Sequence, residues 1–76
     1  MSRHELDARF LLCPMPVIRT QERMATLVSG DVLEIIATDR GALADIPAWC
    51  RVHGHRVVDT KDSGGEVRIV IEVGPP

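Results

Sequence analysis

The sequence predicts an α+β fold, a two-layer α/β sandwich in which a four-stranded mixed sheet carries two helices packed on one face. The predicted elements follow the order βαβαββ, the helical segments have apolar stripes, and the strand segments are short and rich in β-branched residues. Two helices on one sheet face bury all of these apolar residues in a single core. Because a chain of 76 residues has room for only one such core, we expect a single domain over residues 1–76, with a flexible tail at 74–76.

Four segments have the pattern of β-strands. Leu6 and Ala8 alternate with polar neighbours, and residues 32–38 form an apolar, β-branched run typical of an interior strand. Residues 55–60 and 67–73 flank a Gly-Gly turn and therefore predict a hairpin. In its second strand apolar residues occur at every second position, so one side is expected to be buried, namely that of Val67, Ile69, Ile71 and Val73.

Residues 14–27 predict the first helix. The segment begins with proline, which is favoured in the first turn of a helix, and Ser29-Gly30 is expected to end it. Its apolar residues recur near helical spacing and predict a buried stripe made of Val17, Met24, Ala25 and Val28.

The second helix lies within residues 42–53, and Gly54 is its left-handed stop. Two starts are possible, because Pro47 fits best in a first turn. Either Asp45 caps a helix that begins at the next residue, or Asp39 caps an irregular turn that leads into the helix.

Composition and charge disfavour several classes of protein. The chain is 45% hydrophobic and 26% charged, which is typical of a soluble globular domain, and no apolar run approaches the ~18–20 residues that span a bilayer. The first residues contain no apolar segment of a secretory signal. A net charge of −2, with one Trp and one Phe, offers little to a phosphate backbone or to stacked bases. We expect a cytoplasmic protein without direct membrane contact, for which nucleic acid is at most an indirect partner.

The chemistry concentrates in the motif Cys13-Pro14-Met15-Pro16. A helix that begins at Pro14 places Cys13 at its N-cap, where unpaired amides and the positive end of the helix dipole favour a thiolate. Pro14 and Pro16 have no N–H group, so the Met15 amide is the main donor within reach, and we expect a modestly lowered thiol pKa. The prolines also stiffen the loop, so it presents the sulfur outward. Pro16 stands where a Cys-X-X-Cys redox site would have its second cysteine.

The second cysteine and the histidines have simpler interpretations. Cys50 lies in the apolar stripe of the second helix, which predicts a buried, inert thiol, and the alternative is a resolving or second sulfur site. His53 and His55 flank Gly54, but this spacing is not a metal-ligand signature, and His53 is expected to interact with the last carbonyls of the helix. No metal or other cofactor is predicted.

The sequence resembles the TusA (SirA-like) sulfur-carrier family over nearly its whole length. The matching segments are Leu6-Asp7-Ala8, Cys13-Pro14-Met15-Pro16-Val17-Ile18, Gly30-Asp31, Thr38-Asp39, Asp45-Ile46-Pro47-Ala48-Trp49-Cys50 and Gly54-His55. The resemblance implies that Cys13 accepts sulfur as a persulfide from a cysteine desulfurase or a rhodanese-like donor, with Pro14, Met15 and Pro16 as the supporting motif. It further implies delivery to an acceptor protein in a sulfur relay for tRNA thiolation, molybdenum-cofactor assembly or sulfur oxidation.

The residues before the cysteine depart from the family pattern. Where the family commonly has Gly, Leu and a basic residue, this chain has Phe10-Leu11-Leu12. Phe10 either fills the core beneath the loop or is exposed as an anchor for a partner. Arg19 and Arg23, on the first helix, either meet an acidic partner or a tRNA backbone, or form a solvated charged face.

Three hypotheses from different classes follow: a persulfide carrier, a thiol-redox enzyme, and a thiol-independent interaction or regulatory module. An enzyme would need a base and a stabilising group around Cys13, and the nearby ionisable residues in the sequence are Asp7 and Arg9. An interaction module would tolerate loss of the thiol. The sequence favours a sulfurtransferase-type carrier that acts with partner enzymes rather than a stand-alone catalyst.

Overall fold

The computed structural model describes residues 2–75. It confirms the predicted order of elements, which are β1 (Arg3–Ala8), α1 (Met15–Met24), β2 (Val32–Ala37), α2 (Ala42–His53), β3 (Arg56–Ser63) and β4 (Glu66–Glu72). Neither helix in this part of the chain is long and apolar enough to cross a membrane.

The four strands form one mixed sheet in the order β1-β2-β4-β3. β1 and β2 are parallel, whereas β2 with β4 and β3 with β4 are antiparallel. β2 is an interior strand, as its apolar run predicts. Because parallel strands end at the same edge of a sheet, the loops that follow β1 and β2 leave the sheet side by side.

The core lies between one face of the sheet and the two helices. Every second residue of β2 and β4 is buried, which confirms the period-two pattern predicted for β4. Each large aliphatic side chain buried in this way contributes roughly 1.5–3 kcal/mol relative to an exposed one. The largest buried apolar side chains of the sheet are Leu33, Ile35, Val67, Ile69 and Ile71, and α2 adds Ile46 and Cys50.

The hairpin between β3 and β4 turns at two glycines. Gly64 and Gly65 have φ values of 60° and 84°. A two-residue hairpin loop in which both central residues have positive φ favours glycine, because other side chains are strained there. β3 continues to Ser63, beyond the predicted end at residue 60, and its register shifts between Val57 and Asp59.

α1 differs from its prediction at both ends. It begins at Met15 and ends at Met24, and Pro14 occupies the N-cap. Its buried residues are Pro16, Thr20 and Met24, and the Thr20 hydroxyl donates to the Pro16 carbonyl at 2.8 Å. The predicted stripe was therefore partly wrong: Val28 lies beyond the helix and is 68% exposed, since the chain turns back toward β2 after Met24.

α2 spans the predicted residues, and Gly54 ends it in the left-handed conformation. Of the two predicted starts, the second is correct. A side-chain oxygen of Asp39 accepts the Gly41 amide at 3.0 Å, and the helix then begins at Ala42 with Pro47 inside it. The Gly74 amide donates to His55 Nδ1 at 3.0 Å, whereas Pro76 lies outside the described residues, so the flexible tail stays a prediction.

Candidate functional site

Cys13 lies in the loop between β1 and α1, and its side chain is exposed. The loop is held from two directions. Within it, the Met15 amide donates to the Leu12 carbonyl at 2.8 Å. From the loop after β2, the Thr38 hydroxyl accepts the Phe10 amide at 2.8 Å, and a carboxylate oxygen of Asp39 accepts the Cys13 amide at 2.9 Å. The parallel pairing of β1 with β2 thus fixes the position of Cys13.

The thiol of Cys13 faces a carboxylate. Its sulfur donates a hydrogen bond to Oδ2 of Asp45 at 3.6 Å. Asp45 is exposed and lies in the first turn of α2. Asp39 bonds to the backbone amide of the same cysteine, so two acidic side chains surround Cys13.

The predicted N-cap position of Cys13 is wrong. Because α1 begins at Met15, the N-cap is Pro14, and the cap has no side-chain hydrogen bond. The Met15 amide, expected to stabilise the sulfur, is already bonded to the Leu12 carbonyl. The sulfur therefore bonds to an acidic side chain instead of a helix amide. The Cys13–Pro14 peptide bond is cis.

The predicted lowering of the thiol pKa is also wrong. Partial desolvation raises the pKa of Cys13 above its ordinary value, and the hydrogen bond to Asp45 and the negative charges of Asp45 and Asp39 raise it further. A neighbouring like charge disfavours the thiolate because both groups would then be anions. In the free chain at neutral pH, Cys13 is therefore held mainly as the thiol.

The other residues of the motif have structural roles in the loop. Pro16 is fully buried and anchors the first turn of α1 in the core. Met15 is half-buried, and Pro14 is exposed next to Cys13. The motif thus joins the exposed sulfur of Cys13 to α1, whose first turn is held in the core by Pro16.

Two large apolar side chains flank the cysteine in solvent. Phe10 is 84% exposed and Leu12 is 75% exposed, whereas Leu11 between them packs against the core. Of the two positions predicted for Phe10, the exposed one is therefore correct. Phe10 also has a φ of 66°, in the left-handed region that costs a residue other than glycine roughly 1–2 kcal/mol.

Cys50 and the ionisable residues near Cys13 in sequence do not join the site. Cys50 is fully buried, and burial raises its pKa to about 11, as expected of an inert thiol. Asp7 and Arg9 form an ion pair with each other at 3.0 Å. The hydrogen bonds from Arg9 lower the pKa of Asp7 to about 2.

The histidines and the arginines of α1 also have local partners. Nδ1 of His53 lies 3.2 Å from the Trp49 carbonyl, one turn earlier in α2, so its contact is with a carbonyl just before the last ones of the helix. Arg19 pairs with Glu22 at 3.4 Å, and Arg23 donates to the Glu5 carbonyl at 3.1 Å. Across residues 2–75 no three His, Cys, Asp or Glu side chains are grouped as a metal site would require.

Asp39 and Asp45 are the site residues that sequence reasoning missed. Both stand far from Cys13 in the chain, and they were considered only as alternative caps of the second helix and as part of the segments that resemble the family. The βαβ order contained a usable signal: two parallel strands end at one edge, so the residues after β2 meet those after β1. The predicted Asp39 turn was a second indication of a polar side chain at that edge.

Comparisons of this chain with protein families, with known proteins and with solved structures each found a match. A family model described as Sulfurtransferase TusA matches residues 4–73. YrkF of Bacillus subtilis is 45% identical over 69 residues, which are 91% of this chain and 37% of that protein, so this chain spans little more than a third of its length. The sulfur carrier protein TusA of Allochromatium vinosum is 37% identical over 68 residues, 90% of each chain. The crystal structure of a SirA-like protein from Desulfitobacterium hafniense has a TM-score of 0.82 at 22% identity, covering 93% of this chain and 97% of that one, which shows the same fold.

Proposed function

Because this chain belongs to the TusA sulfurtransferase family of sulfur carriers, we propose that Cys13 carries sulfur as a persulfide from a donor protein to an acceptor protein. The observation that supports this most directly is the placement of Cys13. Its sulfur is exposed at a loop that backbone and side-chain hydrogen bonds hold in place. A carrier needs a sulfur that a partner's active site can reach, and this loop provides one.

The loading step is a transfer of one sulfur atom. The Cys13 thiolate attacks the outer sulfur of a persulfide on the donor, a new S–S bond forms on Cys13, and the donor leaves as a thiolate. The delivery step reverses these roles, since an acceptor nucleophile then takes the outer sulfur from Cys13. A cysteine desulfurase or a rhodanese-like protein is the proposed donor. The acceptor decides whether the sulfur serves tRNA thiolation, molybdenum-cofactor assembly or sulfur oxidation.

The surroundings of Cys13 favour a carrier over a thiol-redox enzyme. A dithiol enzyme needs a resolving cysteine, and Cys50 is fully buried in the core. A stand-alone enzyme has to activate its own thiol, whereas Asp39 and Asp45 raise the pKa of Cys13 in the free chain. The exposed Phe10 and Leu12 fit contact with a protein partner, because apolar surface beside a reactive atom is typical of a docking site. The cytoplasm, where thiols are kept reduced, is the proposed place of action.

The test compares the same substitution at the two cysteines. Wild type, Cys13→Ser and Cys50→Ser are incubated with a cysteine desulfurase and cysteine, and intact mass is measured. Wild type and Cys50→Ser should gain the mass of a sulfur atom, whereas Cys13→Ser should gain none, since a serine hydroxyl cannot form a persulfide. Because Cys13 is exposed, Cys13→Ser should change the free energy of unfolding by no more than about 0.5 kcal/mol.

Delivery is measured in a second step with labelled sulfur and an acceptor protein. The label should pass from loaded wild type to the acceptor and should not appear there with Cys13→Ser. Matching circular dichroism spectra would show that the variant is folded. Sulfur loading or delivery by folded Cys13→Ser at the wild-type level would contradict the proposed mechanism, because the sulfur would then be carried somewhere other than Cys13.

A further inference from the structure

The carboxylates around Cys13 have no cationic partner within this part of the chain. In residues 2–75, the ion pairs involve neither Asp39 nor Asp45. Asp39 is bonded to the backbone amides of Cys13 and Gly41, at 2.9 Å and 3.0 Å. Asp45 accepts a hydrogen bond from the Cys13 sulfur itself. One carboxylate thus lies at the Cys13 sulfur and the other at the backbone amide of the same residue, and neither forms an ion pair with an arginine, lysine or histidine of the described residues.

We propose that Asp39 and Asp45 are specificity-determining residues that make Cys13 selective for reactants with positive charge beside their sulfur. The inference rests on the proposed carrier function and deepens it. The partner it implies is a protein that presents a basic side chain next to its reactive sulfur. The reactants it disfavours are anionic, low-molecular-weight disulfides.

The distances support this selectivity. The Cys13 sulfur lies 3.6 Å from Oδ2 of Asp45. A reactant sulfur in contact with the Cys13 sulfur therefore lies within about 8 Å of the Asp45 oxygen, which is no farther than a Debye length at physiological salt. A cation on the reactant is therefore attracted to the site, and an anion is repelled. Exposed charges are screened by salt, so the preference must weaken as ionic strength rises.

The same charges affect the reactive form of the cysteine. Desolvation and the two acidic side chains raise the pKa of Cys13. A basic group that approaches Asp45 compensates its charge and thereby favours loss of the thiol proton. Selection of the partner and activation of the sulfur would then occur in one contact, and the free carrier would react slowly with other disulfides.

Asp45 is the better residue for a test. Asp39 accepts two backbone hydrogen bonds, so its substitution would also move the loop, whereas Asp45 accepts its hydrogen bond from the Cys13 thiol. Asp45→Asn keeps the size of the side chain and removes its charge. The matched control is Asp59→Asn, an exposed position on β3 that gives the same change in net charge.

The experiment measures the rate of mixed-disulfide formation on Cys13 with three disulfides: cationic cystamine, neutral 2-hydroxyethyl disulfide and anionic 3,3′-dithiodipropionate. In each reaction the Cys13 thiolate attacks one sulfur of the probe and the other half leaves as a thiolate, so the probe is the only oxidant. Rates are divided by those of N-acetylcysteine amide, a neutral reference thiol, which removes the intrinsic reactivity of each probe. Intact mass confirms that a single adduct forms.

For wild type at low salt, the normalised rate with cystamine should exceed that with dithiodipropionate by about tenfold or more, given two carboxylates near the sulfur. Asp45→Asn should reduce this ratio several-fold, and Asp59→Asn should leave it near the wild-type value. High salt should bring the wild-type ratio toward one, a measurement that needs no variant. A low-salt ratio near one in wild type, or an unchanged ratio in folded Asp45→Asn, would overturn the proposal.

Sulfur loading by a desulfurase is measured on the same preparations. Normal loading of wild type together with a ratio near one would reject the charge selectivity and leave the carrier function intact. Absence of loading on Cys13 would reject the carrier function itself.

Discussion

Cys50→Ser separates the stability of the fold from the chemistry of the sulfur site. Cys50 lies on α2 with no exposed surface, in the same core as Ile46 and Leu33. The substitution replaces a weakly polar thiol with a hydroxyl of nearly the same shape. A buried hydroxyl without a hydrogen-bond partner costs roughly 1–3 kcal/mol in proteins.

A local partner reduces that cost. On a helix, a serine hydroxyl can donate to the carbonyl four residues earlier, which here is that of Ile46. Thr20 of α1 already makes this kind of bond, to the Pro16 carbonyl at 2.8 Å. We therefore expect a loss of about 1–2 kcal/mol in the free energy of unfolding. For a domain of this size each kcal/mol corresponds to a fall of about 4–8 °C in Tm.

Urea denaturation and thermal melting of the wild type and Cys50→Ser measure this loss, with Cys50→Ala as the control. Alanine leaves a small void but introduces no polar group, so Cys50→Ser should be at least as destabilised as Cys50→Ala. Sulfur loading of both variants should match wild type at a temperature where they are folded. A Cys50→Ser protein as stable as wild type would refute the energetic reasoning, and folded protein that no longer gains sulfur would refute the single-site mechanism.

Three other predictions concern the loop, the thiol and acid stability. Phe10→Gly should stabilise the fold by about 1 kcal/mol in urea denaturation, because glycine removes the strain of the left-handed backbone conformation, whereas Phe10→Ala should not. Both substitutions should slow sulfur transfer from a donor protein if the exposed ring contacts that protein. Asp45→Asn should lower the pKa of Cys13, followed as thiolate absorbance against pH, and an unchanged midpoint would show that Asp45 does not govern the thiol. Hydrogen bonds from arginine side chains lower the pKa of Asp7, to about 2, and of Glu34. The contribution of these two ionised carboxyl groups to stability is therefore present above the ordinary carboxyl pKa and is lost as pH falls from about 4 toward 2. Urea midpoints that do not fall over this pH range would contradict the stabilising role of the two carboxyl groups.

The architecture and the position of the motif around Cys13 could be predicted from the sequence. Alternation of apolar residues in β4, the β-branched run of β2 and the Gly64-Gly65 turn specify strands by their local period and backbone conformation, and these features need no tertiary information. The motif beginning at Cys13 could be located in the same way, because proline restricts its own backbone and that of the residue before it. Helix ends were less certain, since α1 begins and ends where tertiary hydrogen bonds and packing place it.

The electrostatics of the site depend on tertiary contacts. The sequence near Cys13 predicted a helix amide at the sulfur and a lowered pKa, but parallel pairing of β1 with β2 brings Asp39 and Asp45 to the loop instead. The sign of a pKa shift depends on which charges lie within a few ångströms, and residues far apart in the chain supply those charges here. Exposure of Phe10 was decided in the same way, since the Thr38 hydroxyl holds the Phe10 amide and the ring faces solvent. Local sequence fixes backbone preferences, whereas the charges and contacts around a surface sulfur come from the strand order that assembles distant loops at one edge.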